Sequence, residues 1–340
     1  MTGSSSENRN INQMHLVRLI SLIPGPHYMG WILISIAIFL VSFFILLRFE
    51  RSFVYLDTFC IISVIIAMEG MIISWAHHKW DSFQDILIGI VDLNREDIIK
   101  LSQKQAAEIF NNPKMIAFAL LFILFVHLIG VDYHDLSFAS DASYFAFKSA
   151  YYLAVYLEGA GLYILIMTAL AVHNIGLLPL RLDALYSDFH SIGTIYSQFT
   201  ICAAMVYIVW GFFQIVVPPQ FSSLQTIVWF SGFALVLFAY FLLPQYSIHK
   251  MMISTKRERF ELFSSQMRAA MDGPFEVPTD ENVSHLKDLL LVQDKLNKMS
   301  EWPFGWRELL YIAVVILIPL ILIILEIALG PAGLLPQFLE

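Results

Sequence analysis

Apolar residues in this chain run almost unbroken for about twenty positions at a time, and they do so seven times. A bilayer core needs roughly 20 apolar residues of helix to cross it. The runs therefore predict transmembrane helices over 29–47, 56–76, 115–131, 149–172, 196–217, 225–243 and 308–328. Polar joints mark the edges. Arg48-Phe49-Glu50-Arg51 parts the first two runs and Pro218-Pro219 the fifth and sixth. Asn111-Asn112-Pro113 opens the third, with Asn to cap free N–H groups and Pro suited to a first turn. The predicted fold class is an all-α polytopic membrane protein.

The polar stretches complete the division. Residues 1–28 form a tail whose segment Met14–Ile23 is amphipathic and is expected to lie flat on the membrane before Pro24-Gly25-Pro26. A six-helix region follows over 29–244, with inner loops at 78–113 and 173–195. Residues 78–113 read as two short helices, the second starting at Asn94 with Glu96 and Asp97 in its first turn. Nothing stops the sixth run after Pro244, so its helix is expected to continue outward until Asp272-Gly273-Pro274. With a second helix after Pro278, residues 245–307 read as a cytoplasmic helical hairpin. The seventh span is 308–328, and 329–340 an external tail.

Charge sets the orientation. With the N-terminus inside, the outer segments hold only Arg48, Arg51 and Lys148, and the other 17 of the 20 basic residues fall inside. This is the positive-inside bias of membrane proteins, and an even number of spans would spoil it. The outer face carries acids such as Glu50, Asp57, Asp132 and Asp135, a bias that would concentrate cations at an external mouth. The composition agrees: 58% hydrophobic, 14% charged, formal net charge -8. No clustered basic face exists, so nucleic acid is not an expected partner. Cys60 and Cys202 both sit inside spans, which argues against a disulfide. The expected location is a prokaryotic plasma membrane, with the lipid bilayer as first partner.

Ionisable groups within spans are expensive and therefore functional candidates. Glu69 lies mid-span in Ala67-Met68-Glu69-Gly70-Met71, and Glu158 begins Glu158-Gly159-Ala160-Gly161, where small residues permit close approach or a local opening. No span interior holds a Lys or Arg for either. Each must be protonated, hydrogen-bonded to neutral groups, open to an aqueous cavity, or bound to a cation. Gln214, Glu326 and His127 lie nearer the outer edge. Ser197, Thr200 and Tyr207 can line a cavity or, for the two hydroxyl-bearing aliphatic residues, bond back to their own helix.

His77, His78, His173 and His249 fall near inner span ends, where helix-borne pairs can ligate haem b or a metal. Membrane-edge histidines without a ligand are the commoner case, so no cofactor is expected. Asp183, Asp188 and His190 cluster in one inner segment and read as the solvated face of a helix. There is no Gly-x-Ser-x-Gly, P-loop or Gly-x-Gly-x-x-Gly, so no enzyme is indicated.

The layout of seven spans, internal N-terminus, short outer loops and an extended inner helix at Tyr246–Ser300 resembles the insect chemoreceptor superfamily of seven-helix cation channels. The last-helix pattern of that family is not matched, since Tyr311 has no preceding Thr and Gln337-Phe338 lies beyond the span. The segments Pro179-Leu180-Arg181-Leu182-Asp183 and Glu301-Trp302-Pro303-Phe304 are also similar to uncharacterised prokaryotic membrane proteins. The resemblance implies a homo-oligomeric channel for cations, gated by a small-molecule ligand, with span seven at the pore. A haem- or metal-binding redox protein and a non-transporting receptor or scaffold are the alternatives.

Overall fold

The computed structural model describes residues 14–23, 26–50, 55–128, 138, 140–178, 186–216 and 223–271, together with scattered positions between 287 and 321. Eight α-helices follow in order: α1 His15–Ser21, α2 His27–Ile45, α3 Leu56–Ile90, α4 Arg95–Ile109, α5 Asn112–Leu128, α6 Asp141–Ile175, α7 Tyr186–Val216 and α8 Ser223–Met271. A π-turn over Leu46–Glu50 extends α2. Six helical stretches among the described residues are long and apolar enough to cross a membrane, which fits an integral membrane protein. They cover the first six expected spans. The seventh, 308–328, falls largely outside the described residues, as do most of the hairpin's second helix and the external tail.

α3 and α6 form the middle of the bundle. α3 packs on α2, α7 and α6, while α6 also packs on α5 and α8. Their inward faces are buried, including Phe59, Ile62, Ile66 and Ile73 on α3 and Tyr151, Ala154, Leu157 and Ile164 on α6. The flanking helices turn large apolar side chains outward instead. Leu33, Ile36, Val41 and Phe44 on α2 and Leu121, Leu124 and Leu128 on α5 are exposed. Outward apolar belts of this kind suit lipid rather than water.

Glycine sets two of the close contacts. A Cβ on Gly70 would lie 2.1 Å from the Trp31 ring, so only glycine lets α2 and α3 approach there. Trp31 is fixed in turn by its indole N–H, which donates to Ser74 Oγ at 2.8 Å. A Cβ on Gly159 would lie 2.9 Å from Ala119 Cα, which draws α5 against α6.

Three features depart from the sequence expectation. First, 78–90 is not a separate short helix but the continuation of α3. His77-His78-Lys79 is polar but contains neither Pro nor Gly, so polarity marks a membrane edge without ending the helix. Trp80, Phe83, Leu87 and Ile90 continue the buried stripe. Second, α1 does not present its whole apolar side outward: Met14, Leu16, Val17 and Ile20 are buried against the bundle. His15 pins it, with its backbone N–H donating to Asn112 Oδ1 at 2.8 Å. Its ring bridges Asn112 Oδ1 at 2.9 Å and Tyr156 Oη at 2.8 Å. Third, α6 runs on to Ile175, past the expected start of the inner segment at 173, whereas the helix expected to lead into span five is present, with α7 beginning at Tyr186.

Other expectations hold. α4 starts after Asn94 with Glu96 and Asp97 in the first turn, although the Asn94 side chain makes no cap bond. α4 lies across α3 and α6, where Trp80 Nε1 donates to the Ser102 carbonyl at 3.4 Å and Tyr163 Oη to the Glu108 carbonyl at 2.7 Å. Asn111 does cap α5, accepting from the Lys114 N–H at 3.1 Å. α8 passes straight through Pro244 and reaches Met271. Proline has no N–H to give the carbonyl four residues back, which is that of Tyr240. The Tyr196 hydroxyl of α7 donates to that carbonyl at 2.7 Å instead. A tyrosine from the neighbouring helix thus satisfies the carbonyl that the proline leaves open.

Candidate functional site

The two intramembrane carboxylates meet at one place. Glu69 of α3 and Glu158 of α6 line the same cavity of about 60 Å³, with α7 and α8 closing its other sides. The rest of the wall is apolar, including Ile73, Leu157, Leu165, Phe199 and Phe233. Among the described residues no Lys, Arg or His lines it. The volume is enough for a few water molecules or a small cation with its ligands.

Local sequence explains why space exists here. In Glu158-Gly159-Ala160-Gly161 the two glycines face different ways. Gly159 meets α5, whereas nothing lies within 4 Å of where a Gly161 Cβ would be, and Gly161 lines the cavity. One short motif therefore makes a tight contact on one side of α6 and an opening on the other.

Glu69 is buried, at 3% exposure, and Glu158 is half-buried. The Trp210 indole N–H of α7 donates to Glu69 Oε1 at 3.0 Å. Glu69 Oε2 has no hydrogen-bond partner among the described residues. Two ionised carboxylates beside one apolar cavity would repel each other in a medium of low dielectric. A bound proton, or a cation between them, answers both that repulsion and the unpartnered oxygen. Trp210 was not legible as a site residue from sequence. The available signal was its indole N–H within an apolar span, a donor that must find an acceptor when buried.

The indole that serves Glu69 belongs to a cluster of rings. Trp210 packs edge-on to Phe213 with centroids 5.4 Å apart and to Tyr151 at 6.1 Å. Tyr151 and Phe213 are both buried.

The remaining candidates are dispersed. Gln214 lies in α7 but its side chain is outside the described residues, as is all of Glu326. His127 is exposed near the end of α5. Ser197 Oγ and Thr200 Oγ1 bond back to the carbonyls of Gly193 and Tyr196 at 2.8 and 3.1 Å, and Tyr207 stacks on Phe233 with centroids 5.2 Å apart. Asp183 and the side chains of Asp188 and His190 lie outside the described residues.

His77 and His78 meet edge-on with ring centroids 5.7 Å apart, and each of the four inner histidines has a further neighbour. His77 packs on Phe110 at 4.7 Å, and His78 Nδ1 lies 2.7 Å from the Ser74 carbonyl. His173 Nδ1 lies 2.6 Å from Ser247 Oγ, and His249 stacks on Trp302 at 3.9 Å. No group of three or more His, Cys, Asp or Glu residues suited to a metal is found among the described residues.

No protein-family model, curated protein or solved structure matches this chain.

Proposed function

We propose that this chain handles a proton or small monovalent cation within the membrane, and that Glu69 and Glu158 hold it. The observation that carries this reading is the shared cavity: two carboxylates from different helices, no basic group on its wall, and Glu69 Oε2 without a partner among the described residues. Isolated acids kept in a bilayer are costly and are retained chiefly where they bind or pass charge. Glu69 is oriented by Trp210, and Glu158 sits where Gly161 leaves room.

The wider proposal is a cation channel in a prokaryotic plasma membrane, with the N-terminus and the α4 layer inside. Its support is the distribution of basic residues, 17 of 20 on one side, and the long α8 that continues past the apolar zone. Assembly into a homo-oligomer, gating by a small ligand and a pore along span seven remain proposals drawn from the chemoreceptor-like layout.

Proteoliposomes loaded with a pH dye and with potassium or sodium gradients test the reading. Wild type is expected to carry proton or cation flux, and Glu158→Gln to lose it while remaining folded. Equal flux in wild type and in a folded Glu158→Gln, Glu69→Gln double variant would remove the carboxylates from the pathway.

A further inference from the structure

Toward the outer ends of α3 and α6, beyond Glu69, the Tyr151, Trp210 and Phe213 rings pack on one another. In the opposite direction, toward α4, a second and smaller cavity of about 10 Å³ follows, lined by Trp80, Phe83, Thr168, Val172, Ile195 and Tyr196. That is close to the space one water needs. Phe199 is on the wall of both.

The register shows that the two cavities lie on one line. On α6 the lining positions Glu158, Gly161, Leu165, Thr168 and Val172 recur at three and four residues, which is a single helix face. On α3 the face runs Glu69, Ile73, Ala76, Trp80 and Phe83. On α7 it runs Val206, Ala203, Phe199 and Tyr196, antiparallel to α3. From Glu69 to Phe83 and from Glu158 to Val172 the axial distance is the same, about 21 Å at 1.5 Å per residue. The α4 end of this line carries polar atoms that lack protein partners among the described residues, Ser102 Oγ and Gln105 Oε1. Ser102 is also joined to the line, since its carbonyl accepts from Trp80. Buried hydroxyl and amide groups of that kind are ordinarily satisfied by water.

We propose that this line is the access path by which water and a proton or small cation reach Glu69 and Glu158 from the α4 side, and that Phe199 is its gate. The proposal rests on the functional reading above and adds the direction of entry and the residue that controls it. Phe199 is 5% exposed, and its ring packs on Trp75 with centroids 4.9 Å apart. Phe199 is the residue that lines both cavities, which places its ring between them.

Access can be read without transport. In a background with Cys60→Ser and Cys202→Ser, Ala76→Cys places a thiol on the carboxylate cavity. Silver ion is small, and it replaces the thiol proton to form a sulfur–silver bond, so its labelling rate in nanodiscs reports entry. Phe199→Ala is expected to raise that rate several-fold and Phe199→Leu to raise it less. Thr168→Phe, which fills the α4-side cavity, should lower it, and Phe213→Ala should leave it unchanged. Thermal unfolding of each variant identifies any that opens by loss of structure, and the Phe199→Leu and Phe213→Ala pair then carries the comparison. A rate indifferent to Phe199 and Thr168, or one raised by Phe213→Ala, would overturn the path. Flux without this labelling pattern would reject the path alone, whereas the labelling pattern without flux would reject the functional reading alone.

Discussion

Buried polar groups occur in two kinds of place in this bundle, and they are treated differently. At three helix joints a buried polar side chain serves a specific partner. Tyr196 supplies the donor that Pro244 withholds from the Tyr240 carbonyl, Tyr163 caps the Glu108 carbonyl, and His15 ties α1 to Asn112 and Tyr156. At the carboxylate cavity Trp210 serves one oxygen of Glu69, and the other faces no protein donor among the described residues. These joint bonds are closed by atoms of the chain itself, whereas the open Glu69 oxygen faces a cavity shared with a second carboxylate. Within a membrane an unsatisfied group has no bulk water to fall back on, and under the proposed function the open Glu69 oxygen is where a proton or cation is held.

The distinction is open to attack by substitution, since joint variants should cost stability and cavity variants should cost flux. The largest effect is expected for Glu158→Gln and Glu69→Gln in transport, a loss of about tenfold or more, equal to about 1.4 kcal/mol or more in barrier height, with thermal stability unchanged or increased. Next comes Gly70→Ala, whose Cβ would meet the Trp31 ring. A rigid buried ring has little freedom to yield, and overpacking of this kind costs about 1–3 kcal/mol, read as a lower unfolding temperature and poorer yield. Tyr196→Phe follows. It removes the donor to the Tyr240 carbonyl, which Pro244 leaves without its helical N–H, and should cost about 1–3 kcal/mol, with flux through the surviving folded protein retained. The smallest effect separates two neighbours. Gly159→Ala should destabilise because Ala119 and Phe122 stand in the way, whereas Gly161→Ala meets open space and should change stability by less than about 0.5 kcal/mol. If the two alanines behave alike, the account of the Glu158–Gly161 motif is wrong.

Much of the frame was legible in the residues. Long apolar runs gave six spans that the helices match, and the absence of a breaker after Pro244 foretold the continuous α8. At His77-His78-Lys79 the polarity suggests a helix end, yet no Pro or Gly breaks the chain there and α3 continues to Ile90. Glu69 and Glu158 stood out singly because ionisable groups are rare in spans. Their meeting did not, because periodicity gives the face of a helix but not which neighbour it turns toward. Trp210 and Phe199 looked like two more aromatics among many, and their roles arise only from packing between α3, α6 and α7. Likewise Gly159 and Gly161 were readable as small residues, yet only the neighbours tell which one closes a contact and which one opens a cavity.

The most direct test measures flux and unfolding temperature on the same preparations of wild type, Glu158→Gln and Tyr196→Phe. The account predicts a double dissociation: Glu158→Gln folds as well as wild type but no longer conducts, and Tyr196→Phe unfolds earlier but conducts while folded. A Glu158→Gln protein that keeps full flux, or that loses flux only because it loses its fold, would contradict the claim that the carboxylate cavity is where this molecule does its work.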